Sequence, residues 1–111
     1  MSRRSIFAIS IALAAGSAAV AGPAQAQQQP NPREGERLAR QWCSSCHLVA
    51  ADQRTPAPDV APPFASIAAR PNVTPGALRV IIQMPYPRMP QMALSRDEVE
   101  HIIAYILTLK R

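Results

Sequence analysis

The chain has 111 residues, with 12 Lys and Arg against 7 Asp and Glu, a net charge of +5. That length suits one small domain, and so slight a cationic excess, without aromatic residues interleaved among the cations, excludes a nucleic-acid-binding surface. Twelve prolines, eleven of them after residue 26, exclude an extended sheet and favour short helices joined by rigid connections.

Residues 1–26 have a three-part plan. Arg3 and Arg4 are basic, Ile6 to Val20 form an apolar run of small and aliphatic residues, and Ala24-Gln25-Ala26 is a small-x-small cleavage sequence. The apolar run is shorter than the roughly 20 residues a membrane-spanning helix needs. The expectation is a signal peptide cut after Ala26, leaving no stable membrane insertion; an uncleaved anchor is the alternative. Without Arg3 and Arg4, ten cations face seven acids, so the remaining chain carries about +3 at neutral pH. Residues 27–32 are expected to be flexible and 33–111 to form the domain.

From Pro32 a helix is predicted, with proline tolerated in the first turn and Glu34 and Glu36 near the positive end of its dipole. Leu38, Ala39, Trp42 and Cys43 recur at helical spacing, and Gly35 lies in the same helix. The helix feeds Cys43-Ser44-Ser45-Cys46-His47, which holds the only two cysteines. C-x-x-C-H is the pattern of covalent haem attachment. Two thiols one helical turn apart can add to the two vinyl groups on one porphyrin edge, and the next residue offers an imidazole to the iron. Two other chemistries fit the letters: a dithiol/disulfide pair, which wants a βαβ context that is missing here, and a zinc site made of Cys43, Cys46, His47 and His101, although adjacent Cys46 and His47 rarely reach one tetrahedral ion.

Val49 to Ala61 is expected to be a loop, with Pro56 and Pro58 breaking any periodicity. Pro62 to Ala68 is predicted as a short helical turn carrying Phe64 and Ile67 inward. Thr74-Pro75 opens the next helix as N-cap and first helical residue, with Leu78, Ile81 and Ile82 as its apolar stripe. Met84 to Pro90, with prolines at 85, 87 and 90, can be neither helix nor central strand. Ser95 and Glu98 form a capping box for the last helix, whose stripe is Val99, Ile102, Ile103, Ile106 and Leu109. His101 falls opposite that stripe and is expected to be exposed, not a ligand. With only Trp42, Phe64, Tyr86 and Tyr105 as aromatic residues after the signal segment, a macrocycle held in the middle would supply the missing core.

In this order the segments resemble a small monohaem class I cytochrome c of the bacterial, periplasmic type. The matching residues are the helix feeding C-S-S-C-H, then A-P-P-F-A-S-I-A, then M-P-Q-M-A-L-S, then A-Y-I, covering nearly all of residues 33–111. The resemblance implies an all-α fold of three to four short helices wrapped around one covalent haem c and its iron. It implies electron transfer and not an enzyme, with redox protein partners such as a dehydrogenase, a membrane cytochrome complex or an oxidase. The protein would be a monomer or the cytochrome subunit of a dehydrogenase, located in the periplasm. A haem sensor or peroxidase-like enzyme with a labile sixth ligand is the alternative.

The family's site residues carry over as Cys43 and Cys46 for attachment, His47 as one iron ligand and a methionine as the other. Met89 matches best, because Pro90 follows it and the capping Ser95 lies six residues on; Met84 and Met92 compete. The family also uses a proline carbonyl to hold the ligand histidine, for which Pro62 matches best and Pro63 is next. Gly35 and Tyr105 match the close crossing of first and last helices, and Trp42 is expected to pack against the haem or that crossing. Arg88 is a candidate for greeting an acidic partner. Tyr86 stands where related sequences often have histidine.

Overall fold

The computed structural model describes Gly22 and residues 28–54 and 61–111, so the expected signal peptide and residues 55–60 of the loop lie outside the described residues. Four helices follow in order: α1 Pro32–Trp42, α2 Phe64–Ala68, α3 Pro75–Gln83 and α4 Arg96–Thr108. Among the described residues the only β pairing is an isolated antiparallel bridge between Tyr86 and Met89. The all-α expectation therefore holds.

Three of these helices, α1, α3 and α4, start where a side chain satisfies free amides, while α2 has no side-chain cap. Asn31 caps α1 by accepting the Arg33 N–H at 3.0 Å, Thr74 caps α3 by accepting from Ala77, and Pro32 and Pro75 supply the preset first turn. Ser95 and Glu98 form both halves of a capping box on α4: the Ser95 N–H donates to Glu98 at 2.7 Å and the Glu98 N–H to Ser95 Oγ at 3.2 Å.

The α1–α4 pair is the principal helix contact, and α2 and α3 lean on α4. The core joins Leu38, Ala39 and Cys43 from α1 and its end to Val49, Phe64, Ala68, Leu78, Val99, Ile102, Ile103, Tyr105 and Ile106. At the crossing Gly35 meets α4 so closely that a Cβ there would collide with the His101 carbonyl and sit 2.9 Å from Tyr105 Cβ. Tyr105 then reaches across to donate its hydroxyl to the Val49 carbonyl at 2.7 Å. The crossing expected of Gly35 and Tyr105 is thus formed by backbone contact at one and a long-range hydrogen bond at the other.

Two sequence expectations, for His101 and for the apolar stripe of α3, differ from what is found. His101 is buried, only 7% exposed, and its Nδ1 accepts the Asn31 N–H at 2.9 Å. The cause is that α4 is covered on two sides: one by the aliphatic stripe, the other by α1, whose glycine admits the backbone at His101. Trp42 stands outside the helix crossing, since Gly35, Leu38, Ala39 and Cys43 supply the buried side of α1 and its end, which leaves the haem as its expected packing partner. In α3 only Leu78 is fully buried; Ile82 is half-buried, while Val80 and Ile81 face outward, leaving this helix with an apolar outer side.

Candidate haem-attachment site

Where α1 ends, the chain wraps around a single carbonyl. The Cys43 N–H closes the helix on Ala39 O at 2.8 Å, and the Cys43 carbonyl then accepts from both Cys46 N (3.2 Å) and His47 N (2.9 Å). C-S-S-C-H is therefore one continuous turn on the helix end, as two thiols meeting one edge of a planar group require. Ser44 Oγ adds a bond back to the Arg40 carbonyl at 2.6 Å. The thiols are unbridged; Cys43 is buried and Cys46 half-buried. Burial, helped by the nearby Cys46, pushes the Cys43 thiol up to about 11. A catalytic dithiol needs a lowered value to generate thiolate, so the redox-pair chemistry is disfavoured.

The zinc alternative fails on distance. His101 is bonded to Asn31 at the start of α1, while the cysteines stand at its end, and an eleven-residue helix separates its ends by about 16 Å. Among the described residues no group of three or more His, Cys, Asp or Glu is arranged to hold a metal ion.

His47 is oriented from two sides. Its Nδ1 lies 2.7 Å from the Pro62 carbonyl, which can only accept, so Nδ1 carries the proton and Nε2 keeps a lone pair for a metal. Its ring leans on Phe64, centroids 5.3 Å apart and planes at 55°, and Phe64 in turn meets Tyr105 at 6.4 Å. The Phe64 N–H donates to Leu48 O at 2.9 Å, which ties α2 and the preceding proline pair to the residue after His47.

The methionines part company. Met89 is half-buried at the end of a tight turn, its N–H bonded to Tyr86 O at 3.1 Å. Met84 ends α3 and is 58% exposed. Met92 is half-buried and lines a cleft with Ile82, Leu94 and Val99. The intervening loop is clasped at its base by Gln91, whose side chain donates to Gln83 O at 2.9 Å.

Sequence reasoning overlooked Gln53. Its carboxamide accepts the Val49 N–H at 2.9 Å and donates to Ser44 O at 3.2 Å and His47 O at 3.3 Å. It also overlooked the Arg40 clamp, which pairs with Glu36 on its own helix and with Asp52 in the following loop. Arg40 holds the Asp52 carboxyl below its ordinary range. A lone glutamine or arginine carries no sequence signal for such roles, since the partners are backbone atoms or residues brought near only by the turn.

The donor set fits a covalently held haem. Two thiols share one turn, a fixed imidazole presents its free nitrogen, thioethers stand in a braced loop, and Leu48, Val80, Ile81, Met84 and Tyr86 supply apolar surface. Comparisons with known proteins agree. Residues 30–106 match the family model described as cytochrome C oxidase, cbb3-type, subunit III. The chain is also 40% identical, over 92 residues, to cytochrome c-552 of Bradyrhizobium diazoefficiens, covering 83% of this chain and 88% of that one. No solved structure matches the chain. The chain therefore belongs to the cytochrome c family that this model describes, as a small monohaem member with covalently bound haem c and its iron, and its work is haem-based electron transfer.

Proposed function

We propose that this protein is a periplasmic single-electron carrier whose haem is linked through Cys43 and Cys46 and ligated by His47 Nε2 on one side and the Met89 thioether on the other. The observation that carries this reading is the 2.7 Å contact between His47 Nδ1 and the Pro62 carbonyl, one residue past the paired thiols. Such a bond fixes the tautomer and ring plane and raises the basicity of the ligating nitrogen. The bound haem supplies one-electron iron chemistry, and a Met/His ligand pair raises its reduction potential. Were His47 and Met89 both to hold the iron, oxygen and substrate would have no place to bind, which would distinguish a carrier from a sensor or peroxidase.

The surface supports docking to an acidic redox partner. From residue 61 to 95 the chain carries Arg70, Arg79 and Arg88 and no acid. The seven acids lie elsewhere, at Glu34, Glu36, Asp52, Asp59, Asp97, Glu98 and Glu100. A stretch of cations without acids gives steering towards such a partner, as a shuttling protein needs.

Intact-mass measurement of the exported protein, with oxidised and reduced visible spectra, tests the reading. The expected result is a chain starting at Gln27 plus one covalent haem, low-spin in both states, with a sulfur-to-iron band when oxidised. High-spin iron that takes up carbon monoxide at once would instead mark a sensor or peroxidase. Elution only in complex with a dehydrogenase would make the chain a subunit, not a free shuttle.

A further inference from the structure

The loop that follows the haem-attachment turn has a polar side chain at its centre. Gln53 faces inward on residues 44–49 and uses both ends of its carboxamide: Oε1 takes the Val49 N–H, and Nε2 gives hydrogen bonds to the carbonyls of Ser44 and His47. Its own N–H closes a turn on Ala50 O at 3.1 Å. One partner is the backbone of His47 itself; another lies between the two cysteines. The loop is further pinned where Tyr105 donates to Val49 O and Phe64 N–H donates to Leu48 O.

We infer that Gln53 is a positioning residue for the haem iron, holding the His47 backbone so that the imidazole keeps its hydrogen bond to Pro62. This rests on the reading of His47 as an iron ligand given above. Four contacts fix the histidine: Pro62 O and Phe64 at the ring, Cys43 O at its N–H, and Gln53 at its carbonyl. If the Gln53 contact is lost, the carbonyl side of His47 is freed although its N–H stays on Cys43 O, the ring and Pro62 separate, the Nδ1–H bond weakens, and the imidazole gives less electron density to the metal. A less basic ligand stabilises the oxidised state less, so the reduction potential rises. The chemistry demands an amide. Glutamate reproduces the length but offers no donor to the two carbonyls, and leucine reproduces the shape with neither function.

The test uses the haem-loaded protein and its variants Gln53→Leu, Gln53→Glu and Asp52→Asn. The last removes the exposed Arg40 pair on the same loop without touching the carboxamide. Solvent exchange of the His47 Nδ1 proton is followed by NMR in the reduced state, and the potential is measured by redox titration. Both Gln53 variants are expected to exchange about tenfold faster or more, the scale of one lost hydrogen bond, and to show a raised potential, while Asp52→Asn matches wild type. Folded Gln53 variants that mature with less covalent haem than wild type also support the role, since Ser44 lies within the attachment turn. Wild-type exchange and potential in both Gln53 variants would overturn it, even with a lowered melting temperature. Loss of the helical fold in both would overturn it too, reducing Gln53 to a stability residue. Wild-type protein that carries no haem would instead refute the ligand assignment itself, before any variant is compared.

Discussion

Gly35 lies against the main chain of His101, so closely that no side chain can stand between α1 and α4 at that point. Gly35→Ala is therefore expected to force the helices apart. The obstacle is backbone, which cannot rotate away as a flexible side chain can, so the cost lies at or above the upper end of overpacking, about 3 kcal/mol. For a domain of this size that lowers the melting temperature by about 12 °C or more. Thermal unfolding of the haem-loaded variant measures it; a shift of only a degree or two would mean the crossing is softer than its geometry.

Tyr105 closes the same junction through its hydroxyl on Val49 O. Removing only that group in Tyr105→Phe leaves a buried carbonyl short of a partner, a loss of about 1–3 kcal/mol, readable in the urea midpoint. The substitution also has a pH signature. Burial, with Glu36 and Asp52 adding to it, raises the Tyr105 phenol above its ordinary 10. A group with a raised folded value gives stability that is complete below its unfolded value and lost as the pH climbs towards the folded one. Wild-type stability should thus fall above about pH 10 more steeply than that of Tyr105→Phe; parallel curves would deny the burial effect.

Arg79 on α3 and Glu100 on α4 form the ion pair between those helices, with Arg79 Nη2 donating to Glu100 Oε2 at 2.9 Å. Hydrogen bonding to Arg79 lowers the Glu100 carboxyl below 4.5. A lowered folded value means stability present above the unfolded value and lost as the pH drops through the folded one. Both partners are substantially solvent-exposed, so the expected deficit of Glu100→Gln at neutral pH is below about 1 kcal/mol. It should shrink in high salt and disappear in acid. Chemical denaturation at neutral and acidic pH, with and without salt, checks this; a deficit that persists in acid would assign it to packing.

How much of this was legible beforehand depended on the range of the interaction. Local signals were sufficient for the caps: Thr74-Pro75 and Ser95 with Glu98 act within three or four residues, and both start helices as expected. The aliphatic stripe of α4 was likewise readable, because periodicity is a property of one segment. His101 was misjudged because its neighbour, Asn31, is 70 residues away and burial on the second side of α4 depends on a glycine in another helix. Val80 and Ile81 show the same limit: the α3 pattern says which residues are apolar, not how many faces of that helix the chain itself will cover. Gln53 and Gln91 were invisible for a different reason, since their partners are backbone carbonyls and amides that every residue possesses.

The three methionines between residues 84 and 92 give the sharpest separation of ligand from packing. Met89 stands in a turn closed by its own amide on Tyr86 and braced from below by Gln91 on Gln83, so little chain entropy remains to be lost when its sulfur is held. Met89→Ala is expected to abolish the sulfur-to-iron band of the oxidised protein and lower its potential, with the helical content retained. Met84→Ala removes an exposed side chain and should change neither. Met92→Ala should keep the band, because Met92 lies beyond the Tyr86–Met89 turn, beside the cleft it lines with Ile82, Leu94 and Val99. If the band survives in Met89→Ala and vanishes in Met92→Ala, the sulfur ligand is Met92, and the Tyr86–Met89 turn serves only to shape the loop.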